Sequence, residues 1–299
     1  MTYSFASVII PTYHDWDKLQ LCLDALDKQT YPQTKFEIIV VNNDPDDPCP
    51  LTNLPTNCLL IAEKKSGSYA ARNTGLQKAQ GEIIAFTDAD CIPTSDWLEK
   101  GVNLLLTNPN CGLLAGKIEL FFQDRDNPTP IELYDKVSSF PQKKYVKQRK
   151  FGVTANLLTH KTVLETVGYF NDNLKSGGDH EFGLRAYKNG YQILYSSEVC
   201  IQHPARKYWQ ELHQRIIRKT SGMLDVASLN NNLNDRVATF LNWIAYLAPS
   251  PRITYLIFTE ESIKGLPKKL QTVFIMILVK LFRAIELGKI ITGIRSKQY

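Results

Sequence analysis

Along the first third of the chain, short continuous apolar runs alternate with longer stretches whose apolar residues recur every third or fourth position. "SVIIP" (7–11) predicts a buried strand, and the following "DWDKLQLCLDALDKQ" sets Leu19, Cys22, Leu23 and Leu26 on one helical face. A second strand is predicted over "FEIIVV" (36–41), ending in the turn-rich "NNDPDDPCP", and a third over "CLLIA" (58–62). "SYAARNTGLQKAQ" (68–80) predicts a helix closing at Gly81, and "EIIAFT" (82–87) a fourth strand. Apolar strands separated by helices imply a parallel sheet covered on both faces, an α/β nucleotide-binding architecture. Ligands of such sheets bind beyond the carboxyl ends of the strands.

The fourth strand runs straight into Asp88-Ala89-Asp90, with Pro93 opposing its continuation. On an extended segment this spacing turns both carboxylates to the same side. They repel one another unless a cation lies between or beside them. Hard oxygen ligands of this kind suit Mg²⁺ or Mn²⁺, above all where substrate phosphates complete the shell. The tripeptide alone equally describes a short acidic turn.

Composition narrows the field. The 299 residues are 43% hydrophobic and 22% charged, ordinary for a folded globular protein, with one catalytic domain plus an appendage as the simplest division. The six cysteines Cys22, Cys49, Cys58, Cys91, Cys111 and Cys200 follow no C-x-x-C or framework spacing and read as reduced thiols of a cytoplasmic protein. The first residues lack the basic and apolar regions of a secretory signal. Net charge is +5, concentrated in "KKYVKQRK" (143–150) and in "ARKYWQELHQRIIRK" after position 204. Such runs are either solvated surface or receivers of phosphate and anionic lipid headgroups. No RNA-binding aromatic signature or zinc-finger spacing accompanies them, so nucleic acid is not expected as a partner.

Four blocks in order, "SVIIPTYHDWDKLQLCLDALDKQTYP", "FEIIVVNND", "GSYAARNTGLQKAQGEIIAFTDAD" and "GYFNDNLKSGGDHEFGLRAYKNGYQILYS", resemble the family 2 glycosyltransferases of GT-A fold over roughly residues 5–205. The resemblance implies a Rossmann-like nucleotide-binding sheet flanked by helices, here with a C-terminal helical extension. It implies a domain over 1–206 and a helical region over 207–299. It further implies a nucleotide-sugar donor, a glycan or lipid-linked acceptor, and Mn²⁺ or Mg²⁺ as cofactor. By similarity, Pro11, Thr12 and Tyr13 hold the donor's base. Asn42 and Asn43 stand where relatives carry an acid followed by Asp or Asn, and an amide can both donate and accept toward a base. Arg72 matches the diphosphate-binding segment, its plane suited to a pair of phosphate oxygens. Asp90 becomes the direct metal ligand, and Asp88 contacts the donor ribose or reaches the metal through water. His203 is a further candidate ligand.

On the acceptor side Asn156 matches the family's Asn, and Gly178-Asp179 stands where Glu-Asp is typical. Asp179 is the candidate general base of an inverting transfer, which needs a carboxylate to take the acceptor proton. Against this, Asp at a helix start is also a common N-cap, and His180, Glu181 and Arg185 would make an ordinary exposed helical face. Beyond about residue 206 the resemblance fades. Arg215 and Arg218 are spaced to face one side of a basic helix. In "LQTVFIMILVKLFRAIELGKIITGIRSK" (270–297), Lys280, Arg283, Glu286 and Lys289 recur every three residues as a polar stripe, and the apolar run Val273–Val279 is too short to span a bilayer. Two readings stay open: a helix packed on the domain, or an interfacial helix resting on the inner membrane leaflet. The alternatives to a transferase are a non-catalytic nucleotide-sugar-binding scaffold and a sugar-nucleotide pyrophosphorylase, the latter opposed by the absence of glycine from "PTYHDWDKL".

Overall fold

The structure is a computed structural model describing residues 3–229 and 248–291. The chain divides into two compact units. The first comprises Met1–Glu119 with Phe140–His203, the second Leu120–Ser139 with Pro204–Tyr299. The structure thus groups the chain otherwise than a cut at 206 does, because the excursion over 120–139 joins the C-terminal helices.

The first unit is built on one eight-stranded sheet in the order β3-β2-β1-β4-β7-β6-β8-β5. Strands β1 (Ala6–Thr12), β2 (Phe36–Asn42), β3 (Cys58–Ala62) and β4 (Ile83–Thr87) are mutually parallel, joined by helices α1 (Trp16–Asp27) and α2 (Ser68–Lys78). Their residues are branched and apolar on both faces: Val8, Ile9, Ile10, Ile38, Ile39, Val40, Ile83 and Ile84 are all fully buried. Helix α1 buries Trp16, Leu19, Cys22, Leu23 and Leu26 as its periodicity requires. Only β3, at the sheet's edge, is partly open.

The four strands expected to be parallel are so, and beyond β4 the sheet continues with antiparallel strands. Strand β5 (Ile92–Pro93), helix α3 (Trp97–Thr107) and β6 (Cys111–Phe121) come first, then β7 (Asn156–His160). β7 runs antiparallel to both β4 and β6, and the long β8 (Gln192–Pro204) runs antiparallel to β5. The sense of β7 has a consequence. Its register sets Asn156 opposite Thr87, so β7 begins where β4 ends. The chain just before it, including Thr154, therefore lies at the carboxyl ends of the parallel strands. Helices α5 (Lys161–Val167) and α6 (Gly178–Lys188) follow. Asn156 is itself wholly buried: its Oδ1 accepts from Trp97 Nε1 at 2.9 Å, and its Nδ2 donates to the carbonyls of Lys117 (2.8 Å) and Val199 (3.0 Å). It ties α3 to β6 and β8, a structural task that the family pattern did not reveal.

In the second unit, α4 (Pro130–Ser138) opens with Pro130 behind Thr129, which accepts from the Glu132 N–H while the Glu132 carboxylate accepts from the Thr129 N–H at 2.8 Å. Helices α7 (Trp209–Leu229), α8 (Pro251–Thr259) and α9 (Leu266–Ile291) complete it, with α9 lying along α4 and α7. The stretch 230–247 and the end of the expected C-terminal helix, 292–297, lie outside the described residues.

Candidate active site

The register aligns the ends of β1, β2, β3 and β4: Thr12 pairs with Asn42, Asn42 with Ala62, and Ile9 with Phe86 one residue before Thr87. At this rim Thr12 and Thr87 are 3% and 0% exposed, and neither hydroxyl has a hydrogen-bond partner. Buried hydroxyls are nearly always paired. Two unpaired ones therefore stand out at these strand ends. Pro11 is partly buried just behind, and Tyr13 projects with 58% of its surface exposed, edge-on to His14 at 4.2 Å.

Asp88 and Asp90 do not lie on an extended segment. The Cys91 N–H donates to the Asp88 carbonyl at 3.0 Å, closing a turn, so the period-two argument for a shared side fails. The carboxylates instead take different partners. Asp88 forms an ion pair with Arg72 Nη2, and Asp90 Oδ2 lies 3.4 Å from His203 Nε2 at the end of β8. Asp90, Cys91 Sγ and His203 offer ligand atoms all within 4.8 Å of one another. The buried Cys91 thiol is pushed well up by burial first, then by Asp90 and Asp88.

Arg72 is 3% exposed on α2. Its Nη1 donates to the Ser68 carbonyl at 3.3 Å, and its Nε has no partner. The start of α2 is fixed from β2: Asn43 Oδ1 accepts from the Gly67 N–H at 2.7 Å, and its Nδ2 donates to the carbonyls of Glu63 (3.0 Å) and Lys65 (2.8 Å). Gly67 sits at φ 129°, where a side chain would strain the backbone. Asn42 is similarly taken up, with Nδ2 donating to the Asp47 carbonyl at 2.8 Å and Oδ1 accepting from the Asp44 N–H at 3.0 Å. Both amides therefore hold the loops around them. Beyond the ends of β1 and β2 is a cluster that the sequence did not single out: His14 lies 3.0 Å from Asp44 and 2.9 Å from Asp47, which also accepts from Trp16 Nε1 at 2.7 Å.

Asp179 does not cap α6. The N-cap is Gly177, and Asp179 lies in the first turn with its Oδ1 accepting from Thr154 Oγ1 at 3.0 Å. Its N–H donates to the Tyr69 hydroxyl at 3.3 Å. Protein atoms crowd the carboxyl group and raise its pKa by desolvation. The Arg72 charge and the Thr154 hydrogen bond pull the other way, and Asp88 adds to the rise. Gly178 replaces the family's Glu for a visible reason: a Cβ there would come within 2.7 Å of the Tyr69 ring. Glu181 is engaged with Arg185 (Oε1 to Nε 2.6 Å, Oε2 to Nη2 3.0 Å), and Arg185 also donates to the carbonyls of Val167, Gly168 and Tyr169 that follow α5. That pair is a brace, not a free exposed face. His180 lies edge-on to Phe151 at 4.9 Å, its pKa lowered by burial and then by Arg149.

The expected basic face of α7 also resolves differently. Arg215 is buried and ion-paired with Asp135, whereas Arg218 is exposed. All six cysteines are free thiols.

A parallel nucleotide-binding half-sheet extended by antiparallel strands, with an acidic turn at the end of its fourth strand, defines a sugar-nucleotide-dependent transferase of GT-A fold. The chain belongs to glycosyl transferase family 2, whose model matches residues 7–167. It is 35% identical over 249 residues to glycosyltransferase AglE of Haloferax volcanii, covering 81% of each chain. It is 23% identical over 254 residues to the poly(ribitol-phosphate) β-N-acetylglucosaminyltransferase TarS of Staphylococcus aureus, covering 79% of this chain and 43% of that one. Among solved structures it resembles the mannosyltransferase PcManGT from Pyrobaculum calidifontis in complex with GDP-Man and Mn²⁺ (TM-score 0.66, 18% identity, 100% of this chain and 89% of that one). It also resembles TarS 1-349 in complex with UDP (TM-score 0.51, 18% identity, 99% and 92%). The protein is thus a glycosyltransferase, and the pyrophosphorylase alternative is set aside by the family.

Proposed function

We propose that this glycosyltransferase moves a sugar with inversion from a nucleotide-sugar donor to a hydroxyl of a glycan or lipid-linked acceptor, in polysaccharide, glycolipid or glycoprotein assembly. The observation that carries the reading is the meeting of Asp90 and His203, 3.4 Å apart, beside the buried Arg72–Asp88 pair at the strand ends. A carboxylate and an imidazole form a donor set compatible with Mn²⁺ or Mg²⁺. Asp90 and His203 would hold the ion and Asp88 would reach it through water or meet the ribose. When bound, the ion supplies Lewis-acid stabilisation of the leaving diphosphate. Binding of GDP-Man with Mn²⁺ by one structural neighbour and of UDP by another supports a nucleotide diphosphate donor of either base.

Arg72 receives diphosphate oxygens through its unpaired Nε, and Pro11, the Thr12 hydroxyl and the Tyr13 ring receive the base. Asn43 acts through the loop it holds to Gly67. Asp179, oriented by Thr154, takes the acceptor hydroxyl proton while the acceptor oxygen attacks C1 and the bond to the nucleoside diphosphate breaks. Peripheral membrane contact through the C-terminal helix at the cytoplasmic face completes the reading. It is supported by the exposure of apolar side chains on α9; no helix among the described residues is long and apolar enough to cross a membrane.

Calorimetric titration of GDP and of UDP, with and without Mn²⁺, into wild type and Asp90→Asn tests the donor site. Metal-dependent nucleotide binding should disappear in Asp90→Asn at unchanged melting temperature. Binding that is equally tight in chelator would overturn the metal assignment.

A further inference from the structure

The charged stripe read along the C-terminal helix does not face solvent as a unit. Glu286 is 5% exposed and Arg283 is partly buried, on the same side of α9 as the buried Thr272, Met276, Val279 and Leu287. The opposite side is apolar and open. Leu266, Leu270, Phe274, Ile277, Leu281 and Ile285 are between 43% and 60% exposed. Their spacing of four, four, three, four and four residues is one helical stripe, about 28 Å long at 1.5 Å per residue. On α8, Tyr255 and Phe258 add side chains 67% and 42% exposed. Single exposed apolar residues need no explanation, but a continuous stripe of this length does.

We infer that this face of α8 and α9 lies on an anionic lipid surface, with the helices parallel to it. The inference deepens the peripheral-contact reading above. Charge selects the occupant. Between residues 248 and 291 there are seven Lys or Arg against three Glu. Lys264 is exposed just ahead of the stripe and Arg252 is exposed at the start of α8, and among the described residues Lys268 and Lys269 hydrogen-bond to neutral oxygens, the Asn127 amide (3.1 Å) and the Phe258 carbonyl (2.7 Å), so their charges are not cancelled. Apolar side chains with cations beside them fit the boundary between acyl chains and acidic headgroups. A second copy of the chain would bring like charges together along the same stripe. Crossing the bilayer is excluded for α9 by the charges it carries along its length.

The test is flotation of the full chain with vesicles of phosphatidylcholine alone and of phosphatidylcholine with phosphatidylglycerol, alongside Phe274→Glu/Ile277→Glu and Lys264→Glu/Lys268→Glu. Wild type should float with the anionic vesicles and far less with the neutral ones. Each double variant should reduce partitioning at least about tenfold while its melting temperature stays near wild type, because none of the substituted side chains is buried. Wild type remaining unbound would overturn the inference. So would Phe274→Glu/Ile277→Glu floating like wild type, which would mean that charge alone holds the protein. A vesicle-independent dimer in sedimentation that the Phe274→Glu/Ile277→Glu variant dissolves would assign the stripe to self-association instead. Nucleotide titration without vesicles reads the donor site separately, so failure of either reading leaves the other measurable.

Discussion

Two buried arginines of the described residues pair with aspartates in ways that look alike and are built to opposite ends. In the first unit Arg72 meets Asp88, in the second Arg215 meets Asp135. Asp135 is wholly buried and every direction is used: Oδ1 accepts from Ser139 Oγ at 2.5 Å and from Arg215, Oδ2 from the Arg206 N–H at 3.0 Å and its Nη1 at 3.1 Å. The Asp88 side chain is 34% exposed, Arg72 keeps an unpaired Nε, and unpaired threonine hydroxyls lie at the same strand ends. A buried ion pair gains only when its remaining lone pairs and protons are satisfied. The satisfied pair is therefore structural, and the unsatisfied one has hydrogen-bonding capacity left for a ligand.

The comparison is sharpened most by Asp179→Asn. Loss of a general base should lower turnover about 10²–10⁴-fold, with nucleotide affinity and melting temperature nearly unchanged. The readout is nucleoside diphosphate release in the presence of acceptor. Since Gly177 rather than Asp179 caps the helix, near-normal turnover would remove Asp179 from the chemistry.

Asp135→Asn should act in the opposite way, on stability and not on turnover per folded molecule. Removing one partner of a buried pair costs about 3–5 kcal/mol, because the arginines are left uncompensated. A denaturant melt measures it. The same contacts set a pH dependence. Although burial raises the Asp135 pKa, Arg215, Arg206 and Ser139 outweigh it and the net shift is downward. With the folded value below the unfolded one of about 3.9, the contribution is complete above that pH and is lost as pH falls through the folded value. Wild type should lose stability below about pH 4 more steeply than Asp135→Asn does. Parallel curves for the two would sink the assignment.

Thr154→Val should have the smallest effect. It removes the Thr154 hydroxyl's hydrogen bond to Asp179, worth about 1.5–3 kcal/mol where the acceptor is charged. Asp179 already titrates above the ordinary carboxylate range, so the base is ionised only at higher pH. The acid limb of the transfer rate should therefore move further up in Thr154→Val, with turnover at high pH little changed. An unmoved limb would show that Thr154 does not act through Asp179.

The parallel half of the fold was legible because its strands are buried on both faces and read as unbroken apolar runs, and β3 is found where the sequence placed it. Arg72, Asp88, Asp90 and His203 were legible as types at family positions, and the structure brings them to one rim. The antiparallel half was not, since a short antiparallel strand with four of its five residues buried, such as β7, carries no mark of its direction. Nor could spacing tell that the Asp88 carbonyl closes a turn, that Asn43 spends its amide on Gly67, or that Thr154 and Tyr69 support Asp179 from distant segments. The sequence left two readings of the C-terminal helix open for a related reason. Periodicity finds a polar side but cannot say which side its neighbours cover, and here α4 and α7 cover the charged one.

The short strand β5 has a bearing on how the protein is made. Its ladder partners in the sheet are on β8: Ile92 sits opposite Gln202 and Pro93 opposite Ile201. The acidic turn just before β5 is thus pinned on its far side by a segment emerging from the ribosome more than a hundred residues later, the same segment that delivers His203. Contacts so distant along the chain form late in folding. A nascent chain that has already closed its parallel strands therefore lacks the Asp90–His203 contact, and the far support of the acidic turn, until β8 has been made.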